Sequence, residues 1–259
     1  MSSNAFNALR RTPRWSRATA ATVLWLLLWW LLAATAAVPY LPSPLAQAEN
    51  LIGNSPAYLL AAGATLVRAV IGFAIGAALG ILLPIVLGYW SATRYVLDAL
   101  ADLTRTIPGI ALLPIFLLWF GTGDGTAVAL VAAATSFIVI VVSASSIRNV
   151  DPIYLRAASA LGGAGLQGYL LVVTPAMLPG VLGGLRVALA AALPWAIAGE
   201  YLGAQNGLGY ILWNSLQSVN LRQMISVAIV ASLIVALLDL AMRAGGARVT
   251  AWAQTAEGR

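Results

Sequence analysis

Residues 156–175 read RAASALGGAGLQGYLLVVTP, and what this stretch is decides the fold. Its middle, Gly163-Ala-Gly165-Leu-Gln-Gly168, satisfies the G-x-G-x-x-G spacing of a dinucleotide-binding turn. Such a turn needs a strand before the glycines, a helix opening on them and an acid about 20 residues further on. None of the three is present: the helix-prone IYLRAASAL precedes, an apolar run follows, and the next acid, Glu200, stands 32 residues after Gly168. A P-loop is excluded too, because its G-x-x-x-x-G-K-[ST] requires a lysine and all 14 basic residues are arginines. The stretch reads instead as a short helix with small residues at Ala157, Ala158 and Ala160, a glycine turn, and Pro175 opening the next apolar run. Small side chains let another surface approach the backbone, and glycine permits a sharp reversal, so the segment suits docking.

The runs on either side belong to a chain of 259 residues that is 61% hydrophobic and 8% charged, against about 25% charged in soluble domains. So few charges cannot build a soluble surface. Without cysteine or histidine, disulfides, thiolate metal sites, cysteine nucleophiles and imidazole proton shuttles are excluded. A helix needs roughly 20 apolar residues to cross a bilayer core of about 30 Å. Runs of that kind place six spans at about 18–38, 58–89, 98–120, 126–147, 174–199 and 223–242. The third contains Pro108 and Pro114 and is expected as a kinked helix starting near Asp98. The first ends near Ala34-Thr35-Ala36 in the manner of a signal peptide, but its 21 apolar residues exceed a signal's core of about 7–15, so it is read as a retained anchor.

Arginine placement orients the spans, because basic residues beside them stay on the cytoplasmic side. With the N-terminus inside, Arg10, Arg11, Arg14, Arg17, Arg94, Arg105, Arg148, Arg156, Arg243, Arg248 and Arg259 are all cytoplasmic, and Arg222 alone lies outside. The same asymmetry accounts for the net charge of +6 without a nucleic-acid partner. The chain is therefore expected as a cytoplasmic tail (1–17), one all-α membrane domain (18–243) and a second cytoplasmic tail (244–259). Outside, the four prolines of 39–57 are expected to exclude a continuous helix and leave a spacer or docking surface. Residues 200–222 are expected to hold a short amphipathic helix carrying Ile211, Leu212, Leu216 and Val219 at the outer interface.

The intervals Ala157, Ala158, Gly162, Val172 and Pro175 resemble the E-A-A-x3-G-x9-I-x-L-P motif of permease subunits in bacterial ABC importers. Every interval fits; Arg156 stands where glutamate is usual and Thr174 where leucine is usual. Four further stretches look like the nitrate, taurine and aliphatic sulfonate branch: LPSP at 41–44, IPGIALLPIFLLWFGTGDGTAVAL at 107–130, LPGVLGGLRVALAAAL at 178–193 and GEYLGAQNGLGYIL at 199–212. The resemblance covers most of residues 41–240. It implies a type I ABC importer permease fold and a homodimer, with two cytoplasmic ATPase subunits that hold the ATP and Mg and an extracytoplasmic binding protein that delivers the solute. This chain itself would bind no cofactor and catalyse nothing. In that family the motif loop, about 151–170 here, is a coupling helix seated on the ATPase, which assigns ATPase coupling to Arg156, Ala157, Ala158, Gly162 and Pro175. The implied solute is a small anion such as an aliphatic sulfonate, taurine or nitrate, with a thiamine-precursor pyrimidine as the alternative.

Ionisable residues inside a membrane are costly and often functional. Arg68 and Arg186 each interrupt an otherwise charge-free span, and each is either a translocation-pathway residue or a structural one that snorkels or pairs. Glu200 opens the outer loop, as an outer gate, a binding-protein contact or a plain exposed acid. Asp98, Asp102 and Arg105 read as a solvated salt-bridged helix end, and Asp239 with Arg243 as an i,i+4 pair. Trp25, Trp29 and Trp30 are expected to face lipid or a neighbouring subunit. GTGDG at 121–125 is a tight outer turn whose aspartate has no companions for a metal site. An ion-coupled secondary transporter would need acids or broken helices near mid-membrane. Here the acids cluster at span ends, and neither that reading nor a channel-forming subunit gives the motif spacing a role.

Overall fold

The computed structural model describes residues 14–35, 40–160, 162 and 165–249. In them the chain is all-helical: α1 (Arg14–Ala34), α2 (Pro44–Gly53), α3 (Ser55–Tyr89), α4 (Ser91–Thr106), a 3-10 turn (Gly109–Leu112), α5 (Leu113–Phe120), α6 (Asp124–Arg148), α7 (Pro152–Ala160), α8 (Gly165–Gly203), α9 (Leu208–Gln217) and α10 (Leu221–Val249).

Three long helices, α3, α6 and α8, form the core, and the residue spacing explains how. Gly72, Gly76 and Gly80 make a stripe along α3 at intervals of four, facing Val131, Thr135 and Val139 at the same interval on α6. A Cβ on Gly72 or Gly80 would stand 2.5 Å from the Cβ of Val131 or Val139, and one on Gly76 would overlap Thr135 Oγ1. Backbones brought this close gain dispersion contact along their length, the main attraction available between helices in lipid. Continuing the same stripe at its two ends, α6 also meets α8, where Gly199 lies against Ala127 and Gly184 against Val142. α6 is therefore buried from Thr126 to Ile147. By contrast α1 and α10 expose Leu24, Trp25, Leu233 and Leu237, an arrangement suited to lipid. Trp25 and Trp30 agree with the lipid-facing expectation, whereas Trp29 is half-buried and donates its indole N–H to Pro42 O at 3.0 Å.

Four of the expected spans appear as single helices long and apolar enough to cross a membrane: Ser55–Tyr89, Asp124–Arg148, Gly165–Gly203 and Leu221–Ala244. The third differs from a kinked helix. Tyr95–Thr106 and Gly109–Phe120 meet at 89°, so the segment is two short helices at a right angle, the geometry of a broken span or a re-entrant loop. Pro108 forces Ile107 into an extended conformation (φ −72°, ψ 116°), which ends α4. The first expected span contains an apolar helix over Thr19–Ala34; residues 36–38 of it, the first 13 residues and residues 250–259 lie outside the described ones.

Helix ends depart from the expected ones in a consistent way. The fifth helix starts at Gly165, ten residues before Pro175, so Pro175 is interior rather than an opening residue. It also continues past Glu200, which lies on the helix and not in a loop. At 39 residues and 1.5 Å per residue α8 is about 58 Å long, nearly twice the apolar thickness that a hydropathy window reports. Of the segment expected as a spacer or docking surface, residues 44–53 form one helix and residues 55–57 begin the next. Pro44 and Pro56 stand in the first turn of α2 and α3, where a missing N–H costs nothing. Gln47 then anchors α2, donating to Ser226 Oγ at 2.6 Å and to Arg222 O at 3.2 Å. α9 also does more than lie at an interface, since Leu208, Ile211 and Leu212 pack on Tyr58, Ala61 and Val227 while Leu216 and Val219 stay exposed.

Candidate functional site

At one end of the bundle α7 bridges α6 and α8. Pro152 opens it, and Asp151 Oδ1 accepts the N–H of Ile153 at 2.8 Å. The helix has no buried residue: Arg156 and Ala157 are exposed, Ala158 is half-buried, and Ile153 and Tyr154 expose more than half of their surface. Leu155 is its inward anchor, packing against the cluster of Ile147, Tyr169, Val173, Met177 and Val181. Gly162 turns the chain with φ +84° and Gly165 with φ +76°, conformations that side chains with a Cβ rarely adopt. A groove of about 420 Å³ separates the start of α7 from α8, lined by Ser146, Asn149, Asp151, Tyr154, Met177 and Gly180. The structure thus brings Arg156, Ala157, Ala158 and Gly162 onto one protruding hairpin. Pro175 is apart from them, exposed on α8 about 15 Å beyond Gly165.

The opposite end holds a buried ionic cluster. Arg68 Nη1 reaches Glu200 Oε1 at 2.5 Å and Arg68 Nη2 reaches Asp124 Oδ1 at 2.5 Å. Arg68 also donates to the backbone oxygen of Asn206 at 3.0 Å and to its side-chain oxygen. Glu200 is fully buried. Its Oε2 accepts from Thr65 Oγ1 at 2.9 Å and from the Gly209 N–H at 2.9 Å, while Thr65 Oγ1 accepts the Leu208 N–H at 2.9 Å. Two buried charges are tolerable because every donor and acceptor has a partner. Three helices thereby meet: α3 supplies Arg68, α6 supplies Asp124 in its first turn, and α8 supplies Glu200. Glu200 as a solvent-exposed loop acid, open to a docking protein, is overturned by this burial. Thr65, Asn206, Gly207 and Gly209 escaped sequence reasoning, because nothing in the chain marks a contact across 135 or 138 residues.

Of the remaining candidate charges, Arg186, Asp239, Arg243 and Asp98 are paired. Arg186 binds Asp239 through both Nε and Nη2, the latter at 3.1 Å, and Arg243 Nε reaches Asp239 Oδ2 at 2.9 Å, as the i,i+4 spacing predicts. Arg186 and Asp239 are only partly enclosed, and Asp239 borders a groove of about 450 Å³ between α8 and α10. Asp98 pairs across to Arg148 of α6 rather than along its own helix to Arg105. Among the described residues no group of three or more acids could hold a metal ion.

Residues 76–250 match the family described as binding-protein-dependent transport system inner membrane component. The putative aliphatic sulfonates transport permease protein SsuC of Bacillus subtilis is 30% identical over 74% of this chain and 69% of its own length. The taurine transport system permease protein TauC of Escherichia coli is 28% identical over 88% of this chain and 86% of its own. The formylaminopyrimidine transport permease protein ThiX of Halalkalibacterium halodurans is 33% identical over 71% and 75%. In fold, the chain is similar to a chain of the MetNI methionine ABC transporter in an inward-facing conformation, with a TM-score of 0.61 at 21% identity, covering 75% of this chain and 96% of that one. An all-helical bundle with a protruding hairpin between its last two long core helices, in a sequence matched over residues 76–250, therefore makes this chain a member of the binding-protein-dependent transport system inner membrane components, a multi-pass permease of the ABC transporter class.

Proposed function

We propose that this chain is the permease subunit of an ABC importer for a small anion, an aliphatic sulfonate, taurine or nitrate. It works as a homodimer with two cytoplasmic ATPase subunits, which hold ATP and Mg, and an extracytoplasmic binding protein. Both termini and α7 lie on the cytoplasmic side. The observation that carries the reading is α7 itself: an exposed helix with small residues Ala157 and Ala158, held between the Asp151 cap and the positive-φ turn at Gly162. Docked in a cleft of the ATPase, it moves when that subunit closes on ATP. Ile153 and Tyr154 offer it apolar contact area, and Arg156 calls for an acidic counterpart on that ATPase.

The similarity to SsuC and TauC supports the sulfonate or taurine assignment. The similarity to ThiX supports a second reading, a thiamine-precursor pyrimidine as solute. Of the two intramembrane arginines, Arg186 is the pathway candidate, because it remains partly open and its partner Asp239 borders a groove. Arg68 is enclosed, and its role is structural.

Reconstitution with the ATPase and binding protein encoded beside it tests the reading. Uptake should require ATP and binding protein, with taurine or alkanesulfonates competing. Uptake without ATP, driven by an ion gradient, would establish a secondary transporter instead, and competition by formylaminopyrimidine alone would select the second solute.

A further inference from the structure

We propose that Glu200 is a joint that locks α9 to the end of α8, so that displacement of α7 is carried through α8 to the outer surface of the protein. The inference rests on the reading of α7 as the ATPase-docking helix. α8 is one unbroken helix that starts beside α7 at Gly165 and ends at Gly203, three residues beyond Glu200. α9 follows after only four residues and has no side-chain cap of its own, since its N-cap is Gly207. A helix start left in that state has unsatisfied N–H groups and a positive dipole end. Glu200 and Thr65 supply what is missing, accepting the Gly209 and Leu208 N–H groups.

The loop sequence is fitted to this contact. A Cβ on Gly207 would stand 2.5 Å from the Glu200 carboxylate, and one on Gly209 would stand 2.6 Å from Glu200 Cβ. Gly207 also has φ +107°. Arg68 holds the other oxygen of Glu200 and both oxygens of Asn206, so residues 204–207 cannot shift independently of α3 and α8. Glu200, fully buried, touches nothing outside the protein. It is a positioning residue, and what it positions is α9, whose exposed Tyr210 and Leu216 face outward at the end remote from α7.

The test is a titration of the reconstituted permease–ATPase complex with solute-loaded binding protein, comparing wild type with Glu200→Gln and Gly207→Ala. The proposal expects basal ATP hydrolysis per assembled complex to stay at the wild-type level, Arg68 keeping Asp124 as its counter-charge when Glu200 is replaced, while the binding-protein concentration for half-maximal stimulation rises about tenfold, the scale of one lost charge-assisted hydrogen bond. Should Glu200→Gln fail to accumulate in the membrane, Thr65→Val, which removes only the hydroxyl, decides by the same readout. An unshifted midpoint with normal uptake overturns the joint. An altered solute KM at an unshifted midpoint makes Glu200 a solute contact and overturns it too. A wild-type complex that no binding protein stimulates fails the underlying reading, and the proposal with it.

Discussion

Single residues differ sharply in what they contribute. Arg68 and Arg186 look alike in the sequence, each one arginine in a long apolar run, yet Arg68 is sealed among Glu200, Asp124 and Asn206 while Arg186 keeps part of its surface open. Removing one member of a buried pair strands the other charge, at a cost of about 3–5 kcal/mol. Arg186→Gln leaves Asp239 paired with Arg243, so the protein should fold normally. If Arg186 lines the path of an anion, that variant raises the solute KM without lowering expression; an unchanged KM in an uptake assay removes it from the pathway. Gly162 shows the opposite case, where the residue matters for its backbone. Nothing stands within 4 Å of a Cβ placed there, but φ is +84°. Gly162→Trp should therefore reshape the turn and present a bulky ring to the docked ATPase. We expect insertion to be intact and uptake to be lost, with ATP hydrolysis by the complex continuing; normal uptake would count against α7 as the docking element.

Elements hold together through close backbone approach more than through large side chains. The Gly72, Gly76 and Gly80 stripe on α3 leaves no room for a methyl group against α6. Gly76→Leu should separate the two helices and destabilise the bundle by about 1–3 kcal/mol or more. In a domain of this size the melting temperature falls roughly 2–4 °C for each kcal/mol, so a thermal melt of the detergent-solubilised protein should show a drop of several degrees. A melt within a degree of wild type would mean that α3 and α6 are not packed along this stripe. α7, by contrast, has no buried residue and turns only the half-buried Leu155 and Ala158 inward. The core helices are thus packed along their length while α7 is mostly exposed, the division that the proposed coupling role of α7 requires.

At the scale of the whole molecule, both ends of the bundle are accounted for by the same chain direction. Residues 124–148 run from the ionic cluster to α7, and 165–203 run back, so α7 and Glu200 stand at opposite ends. The arginine asymmetry predicts that α7 lies in the cytoplasm. Because the chain has no cysteine, single cysteines report sidedness directly. Exposed Leu45 of α2 and exposed Ala160 of α7 are suitable positions. A membrane-impermeant maleimide should label Leu45→Cys in intact spheroplasts and Ala160→Cys only after permeabilisation; the reverse pattern would invert the orientation.

The amino-acid sequence by itself determined the all-helical membrane class, four of the spans, the turn at Gly162 and the Asp239–Arg243 pair. These follow from local properties: charge-free runs as long as a bilayer is thick, glycine at a turn, and partners one helical turn apart. Only the tertiary structure decided where α8 begins and ends, that the third expected helix is two short ones at a right angle, that 44–53 is a helix, and that Glu200 is buried. Helix ends outside the apolar core leave no trace in hydropathy, and a proline at a helix start looks the same in sequence as one in a loop. The partners of Glu200 lie 132 and 135 residues away at Arg68 and Thr65. A contact over that distance exists only once α3 and α8 have packed against each other and against α6.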